Sequence, residues 1–89
     1  MTLRDLGLTE DWFTWIEQQE QPIEAICTMA FRLRLVIFPL EPGRWLVYTS
    51  KDWAKVEAGH DSPLAAIRMV CRKLLDELGE DGEVPQDDR

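Results

Sequence analysis

The sequence is poor in the residue types that build chemical centres. It holds one histidine and two cysteines among 89 residues. A site with several histidine ligands is therefore excluded, and Cys27 and Cys71 lack the CxxC spacing typical of zinc and redox sites. A disulfide framework would need more cysteines, so we expect both thiols to lie in the core as small hydrophobic side chains. We predict no cofactor, no metal and no enzymatic activity.

Long apolar segments and an excess of basic residues are also missing. The longest apolar stretch, LVIFPL, has six residues, far fewer than the about 20 that a membrane-spanning helix needs. The N-terminal residues MTLRDLGLTEDW contain no run typical of a signal peptide. The net charge of −7 argues against direct nucleic-acid binding, which depends on lysine and arginine. We expect a cytoplasmic protein with no membrane and no nucleic-acid partner.

The single histidine stands in the run HDS at 60–62, the three letters of a hydrolytic triad. Adjacent residues cannot build a triad, because its side chains must meet from separate backbone segments. Ser62 followed by Pro63 is instead typical of a helix start, with the serine hydroxyl accepting a backbone N–H and the proline at the first helical position. Apolar residues then recur at helical spacing up to Gly79, which predicts a helix over 63–78.

Two further helices are indicated near the N-terminus. Thr9, followed by two acidic residues, is a typical N-cap, and Pro22 ends the pattern, so we predict a helix over 9–20. Segment 22–31, PIEAICTMAF, admits a second short helix, which we favour, or a backward extension of the next strand. In the helical alternative Cys27 falls on the apolar face.

A hairpin is predicted in the middle of the chain. Residues 32–38 and 45–50 read as strands on either side of the turn EPGR at 41–44, and 51–58 is compatible with a third strand. The faces expected to cover the last helix are Leu33, Leu35 and Ile37 with Trp45, Val47 and Thr49. The predicted fold is α+β: a two- or three-stranded antiparallel meander packed against a C-terminal helix, with one or two N-terminal helices.

The end of the chain has a different composition from the rest. Residues 80–89, EDGEVPQDDR, carry five acidic residues against one arginine, with Val84 as the only aliphatic residue. This composition predicts a solvated, disordered acidic tail. Residues 1–79 are then expected to form one small α+β domain.

The four tryptophans suggest a binding surface. A core of this size holds two or three, and Trp53, in the polar run SKDWAK, is the best candidate for exposure. Exposed tryptophans are common at binding hot spots. Basic residues on the hairpin and the following loop predict a stripe beside Trp45 or Trp53 that contacts an acidic partner. The partner-binding residues predicted here are Trp53, Lys51, Lys55, Arg34 and Arg44. The plainer alternatives are a tryptophan in the core and a solvated sheet face.

Two resemblances bear on function. Trp45 and Val47, with Ser62-Pro63 and Ala65-Ala66-Ile67, resemble the phage ABA-sandwich family of small phage proteins of unknown function over residues 44–75, although the pattern departs at Met69-Val70. The resemblance implies a phage or mobile-element origin. Residues 59–66 are similar to the G-D-S/T step and alanine-rich helix of HicB-like antitoxins, which implies an acidic chain covering a basic ribonuclease.

Three functions follow as hypotheses. The first is a small non-catalytic protein that binds a host or viral protein. The alternative is an acidic antitoxin or inhibitor that masks a basic nucleic-acid-binding surface, which predicts aspartate and glutamate gathered on one face. The third is an enzyme or ligand-binding subunit with its site near His60 at an oligomer interface, which predicts a dimer. A homodimer is compatible with each of them.

Overall fold

The structure, a computed structural model, describes residues 1–49 and 62–84. In these residues three helices and one antiparallel hairpin form an α+β fold, as predicted, with the C-terminal helix packed on the sheet. The elements are α1 (Glu10–Glu17), α2 (Ile23–Leu33), β1 (Leu35–Glu41), β2 (Arg44–Thr49) and α3 (Pro63–Leu78). The predicted third strand, 51–58, lies outside the described residues.

The bounds of α3 confirm the prediction from the sequence. The helix begins at Pro63 after Ser62 and ends before Gly79, whose φ of 75° suits glycine. The Ser62 hydroxyl, however, accepts no capping hydrogen bond, so that predicted contact is wrong. One side of α3 packs on β2 and α2 and forms the centre of the core. Its buried residues are Ala66, Ile67, Val70, Cys71, Leu74 and Leu75.

The first helix is shorter than predicted. Thr9 caps it as expected, since its hydroxyl accepts a hydrogen bond from the Trp12 amide at 3.2 Å. The helix ends at Glu17, before the polar run that we had included, and Ile16 is its buried residue. A short helix with one buried apolar side chain exposes much of its surface.

The second helix is longer than predicted and displaces the start of β1. Segment 22–31 is helical, as we favoured, but the helix continues to Leu33, so the expected strand start at residue 32 is wrong. Apolar residues at helical spacing drive this extension, because they form one continuous buried face: Ile26, Met29, Ala30 and Leu33. Arg34, in the left-handed conformation with φ 57°, ends the helix.

The hairpin turns at Pro42-Gly43, where Gly43 has φ 83°, as the sequence indicated. Its register pairs Leu35 with Thr49 and Ile37 with Val47. Val47 and Thr49 are buried, and β2 packs against α3, which confirms the predicted inner face of this strand.

Residues 80–84 lie against the N-terminal segment, although we expected a solvated tail from residue 80. Thr2 and Glu83 form an antiparallel bridge, and Val84 is only 6% exposed. The expectation is therefore wrong for these residues, while residues 85–89 lie outside the described part of the chain. We call the contacts between residues 1–4 and 80–84 the terminal clasp.

Arg72 joins α3 to α1. Its guanidinium donates to the Glu10 carboxylate, with Nη2 2.6 Å from Oε2 and Nη1 2.9 Å from Oε1, and also to Asp76. The same group lies 4.8 Å from the centroid of the Phe13 ring, within the range of a cation–π contact. Hydrogen bonding to Arg72 lowers the pKa of Glu10, so this carboxylate stays ionised at neutral pH. These contacts link α1 to α3 at the protein surface.

The two thiols differ in accessibility. Cys71 is buried in the core as predicted, but Cys27 is exposed on α2, so that part of the prediction is wrong. Burial raises the pKa of Cys71 to about 12, which leaves this thiol protonated and unreactive at neutral pH.

We expect N-ethylmaleimide at pH 7 to modify Cys27 alone in the native protein and both cysteines in urea, as measured by intact mass. Rapid addition of two adducts to the native protein would contradict the burial of Cys71.

Candidate binding surfaces

The structure does not bring Arg34 and Arg44 together in a stripe. Arg34 precedes β1 at one end of the hairpin, and Arg44 begins β2 at the turn end, paired with Glu41. Arg34 and Glu41 are seven residues apart along the strand, which corresponds to about 23 Å. Arg44 also forms an ion pair with Glu41, with Nη1 3.6 Å from Oε2.

The other predicted partner-binding residues lie outside the described part of the chain, and their role stays a prediction. They are Lys51, Trp53 and Lys55. Trp45, which we expected beside the stripe, lies on the inner side of β2 and packs partly buried against the core. It therefore contributes volume to the core beneath the hairpin.

The side of the hairpin that faces away from α3 is apolar. Side chains alternate along a strand, so the residues opposite in register to the buried ones share this side. They are Val36 and Phe38 of β1 with Tyr48 and Leu46 of β2, and we call them the outer face. Phe38 is 53% exposed, while the others are partly buried. An exposed aromatic ring within an apolar patch is typical of a binding surface.

A groove of about 430 Å³ runs between α1 and α2; we call it the α1–α2 groove. It has two indole rings on one side and helix α2 on the other. Trp15 is 47% exposed, and Trp12 packs edge-on against Phe13, with the ring centroids 5.0 Å apart. The lining residues are Trp12, Trp15, Gln19, Gln21, Pro22, Glu24, Ala25, Thr28, Met29 and Arg32.

The groove has an acidic and a basic end. Glu24 lies in the first turn of α2 and Arg32 in its last, about 12 Å apart at 1.5 Å per residue. Arg32 is held in place, because its Nη1 donates to the Leu6 carbonyl oxygen at 3.2 Å. A ligand would therefore meet a carboxylate at one end and a fixed guanidinium at the other.

Sequence reasoning missed both Trp15 and Phe38 as candidate contacts. Trp12, Trp15 and Gln19 are spaced by three and four residues, which places them on one side of a helix, and this spacing could have indicated the groove. Phe38 could have been found from strand alternation opposite Ile37.

The outer face offers apolar contact area, and the α1–α2 groove adds the charged side chains of Glu24 and Arg32. Among residues 1–49 and 62–84, none of the helices combines the length and hydropathy needed to cross a membrane. Comparisons with protein-family models, curated proteins and solved structures find no match to this chain. The case for a function therefore depends on the outer face and the α1–α2 groove.

Proposed function

We propose that the chain is a small non-catalytic interaction protein that binds another protein through the outer face of its hairpin. The observation that carries the proposal is the exposure of Phe38, 53%, next to the partly buried Val36, Leu46 and Tyr48 on the described outer face. Interface cores are depleted in charge and enriched in aromatic residues. A few such residues usually supply most of the binding energy.

The composition of the outer face specifies the kind of partner. Val36, Phe38, Leu46 and Tyr48 carry no formal charge at neutral pH, so the surface that covers them should be apolar as well. Burial of apolar area contributes about 25 cal/mol per Å² and is little affected by screening salt. The complex should therefore survive high ionic strength, with Arg34 and Arg44 at the two ends of the hairpin acting as rim residues.

Phe38→Ala is the variant that tests this proposal. We expect it to abolish retention of the partner in an affinity pull-down from a bacterial lysate, at both low and high salt, because the substitution removes the exposed ring. Phe31→Ala is the matched control, since Phe31 is even more exposed, at 76%, but lies on α2. This control should retain the partner.

Two results would contradict the proposal. One is equal retention of the same protein by the wild type and the Phe38→Ala variant. The other is self-association of the purified chain that Phe38→Ala abolishes, because the outer face would then bind a second copy. Sedimentation velocity of the purified wild type and of the Phe38→Ala variant measures this self-association.

A second candidate is the acidic inhibitor that masks a basic nucleic-acid-binding surface. The observation that favours it is the presence of Glu24 in the α1–α2 groove, with further carboxylates nearby on α1 and in the α1–α2 loop. A phage or mobile-element origin fits either candidate and stays a prediction.

A further inference from the structure

The α1–α2 groove presents an aromatic surface to solvent. Trp15 is 47% exposed and lines the groove together with Trp12. An indole face attracts a lysine or arginine head group, and it also packs well against the methylene stem of either side chain. The groove therefore has a wall suited to a basic side chain.

Glu24 is the acidic residue that lines this groove. Several carboxylates elsewhere are held in ion pairs: Glu80 and Asp81 with Arg4, Glu83 with the N-terminal amine, and Glu10 and Asp76 with Arg72. Glu77 of α3 is exposed and forms none of these ion pairs. Glu24 in the groove, Glu20 beside it and Asp11 one turn before Trp15 form none of the ion pairs found among the described residues. Of these three, Glu24 lines the groove together with Trp12 and Trp15.

Because of the Arg32 guanidinium, the two ends of the groove carry opposite charges. A cationic head group would avoid this end and lie at the opposite end, near Glu24. The N–H groups of Arg32 that do not bond Leu6 remain able to donate to the carbonyl oxygens of an extended peptide backbone. The amide side chains of Gln19 and Gln21 line the same groove and offer further hydrogen bonds.

We propose that the α1–α2 groove binds an extended segment of a partner protein that carries lysine or arginine, with the stem over Trp15 and the head group at Glu24. This inference deepens the second candidate function by assigning the basic partner to one surface. It does not depend on the outer face of the hairpin.

Fluorescence anisotropy with a defined peptide tests the proposal. The probe is a fluorescein-labelled octapeptide of alternating arginine and alanine, and its control has glutamine in place of each arginine. We expect the arginine peptide to bind the full chain and the glutamine peptide to bind at least tenfold more weakly. Trp15→Ala should weaken binding about twofold to fivefold, the range of an exposed cation–π contact, and Glu24→Gln should weaken it by a similar factor.

Two control variants separate the groove from general attraction by an acidic chain. Glu77→Gln removes the same charge from exposed α3 and should leave the affinity within experimental error, as should Phe38→Ala on the outer face. Equal weakening by Glu77→Gln and Glu24→Gln would overturn the proposal, and so would equal binding of both peptides or no binding of the arginine peptide. Weakening by Phe38→Ala alone would assign the peptide to the outer face and would also overturn it. Glu24→Gln keeps the test decisive if Trp15→Ala fails to fold.

Discussion

Leu74→Ala is expected to destabilise the folded chain by about 2–5 kcal/mol, the usual range for a buried leucine. Leu74 is 0% exposed and lies on the buried side of α3, the helix that packs on both α2 and β2. Its removal leaves a cavity where these elements meet. A chain of 89 residues has little stability to lose, so a large part of the population should unfold at 37 °C.

The matched control for this substitution lies one helical turn further along. Leu78 is 37% exposed, and Leu78→Ala should cost less than about 1 kcal/mol. Urea unfolding followed by circular dichroism measures both variants. Equal losses of stability, or a loss for Leu74→Ala below about 1 kcal/mol, would contradict the packing of α3 described above.

Removal of residues 80–84 is expected to cost about 2–4 kcal/mol, from the burial of Val84 and the backbone hydrogen bonds of the terminal clasp. Val84 is 6% exposed, and its amide donates to the Met1 carbonyl oxygen at 2.8 Å. The Leu3 amide donates to the Gly82 carbonyl oxygen at 3.2 Å. The exposed ion pairs of Arg4 add little, because solvent screens them.

Two truncated chains isolate this contribution. One ends at Gly79 and the other at Val84, so that only residues 80–84 differ between them. Thermal unfolding should show a clearly lower midpoint for the shorter chain. Equal midpoints would mean that these residues form the solvated tail expected from their composition, and that the clasp does not stabilise the fold.

Local sequence signals were sufficient to predict the bounds of α3 and the turn of the hairpin. The start of α3 at Pro63 and its end before Gly79 follow from the backbone preferences of proline and glycine. The buried face of the helix follows from the helical spacing of its apolar residues. The turn at Pro42-Gly43 is equally local. In these places the backbone preference of single residues and the apolar pattern agree.

The boundary between α2 and β1 could not be placed by the same reasoning. Arg-Leu-Arg-Leu at 32–35 alternates as a strand does, yet Leu33 completes the buried stripe of α2. The burial of the apolar stripe stabilises the helix more than the alternating pattern would stabilise a strand. Arg34 then adopts a left-handed conformation that few side chains favour. This choice depends on tertiary packing.

The terminal clasp was missed because its contacts join residues about 80 positions apart in the sequence. Composition alone did not show that Glu80 and Asp81 form ion pairs with Arg4. The hairpin register likewise places Arg34 and Arg44 at opposite ends, while the role of Lys51, Trp53 and Lys55, outside the described residues, stays a prediction. Charge patterns along a chain do not show which charges meet in the fold.

Isothermal titration calorimetry of the purified chain with the protein that it retains in high salt tests most directly whether the outer face is the binding surface. For Phe38→Ala we predict a loss of affinity of at least about tenfold, which corresponds to about 1.4 kcal/mol and is within the range of an interface hot spot. For Phe31→Ala we predict a change of less than about twofold, or about 0.4 kcal/mol. Equal affinities for the wild type and Phe38→Ala would show that the outer face of the hairpin is not the binding surface.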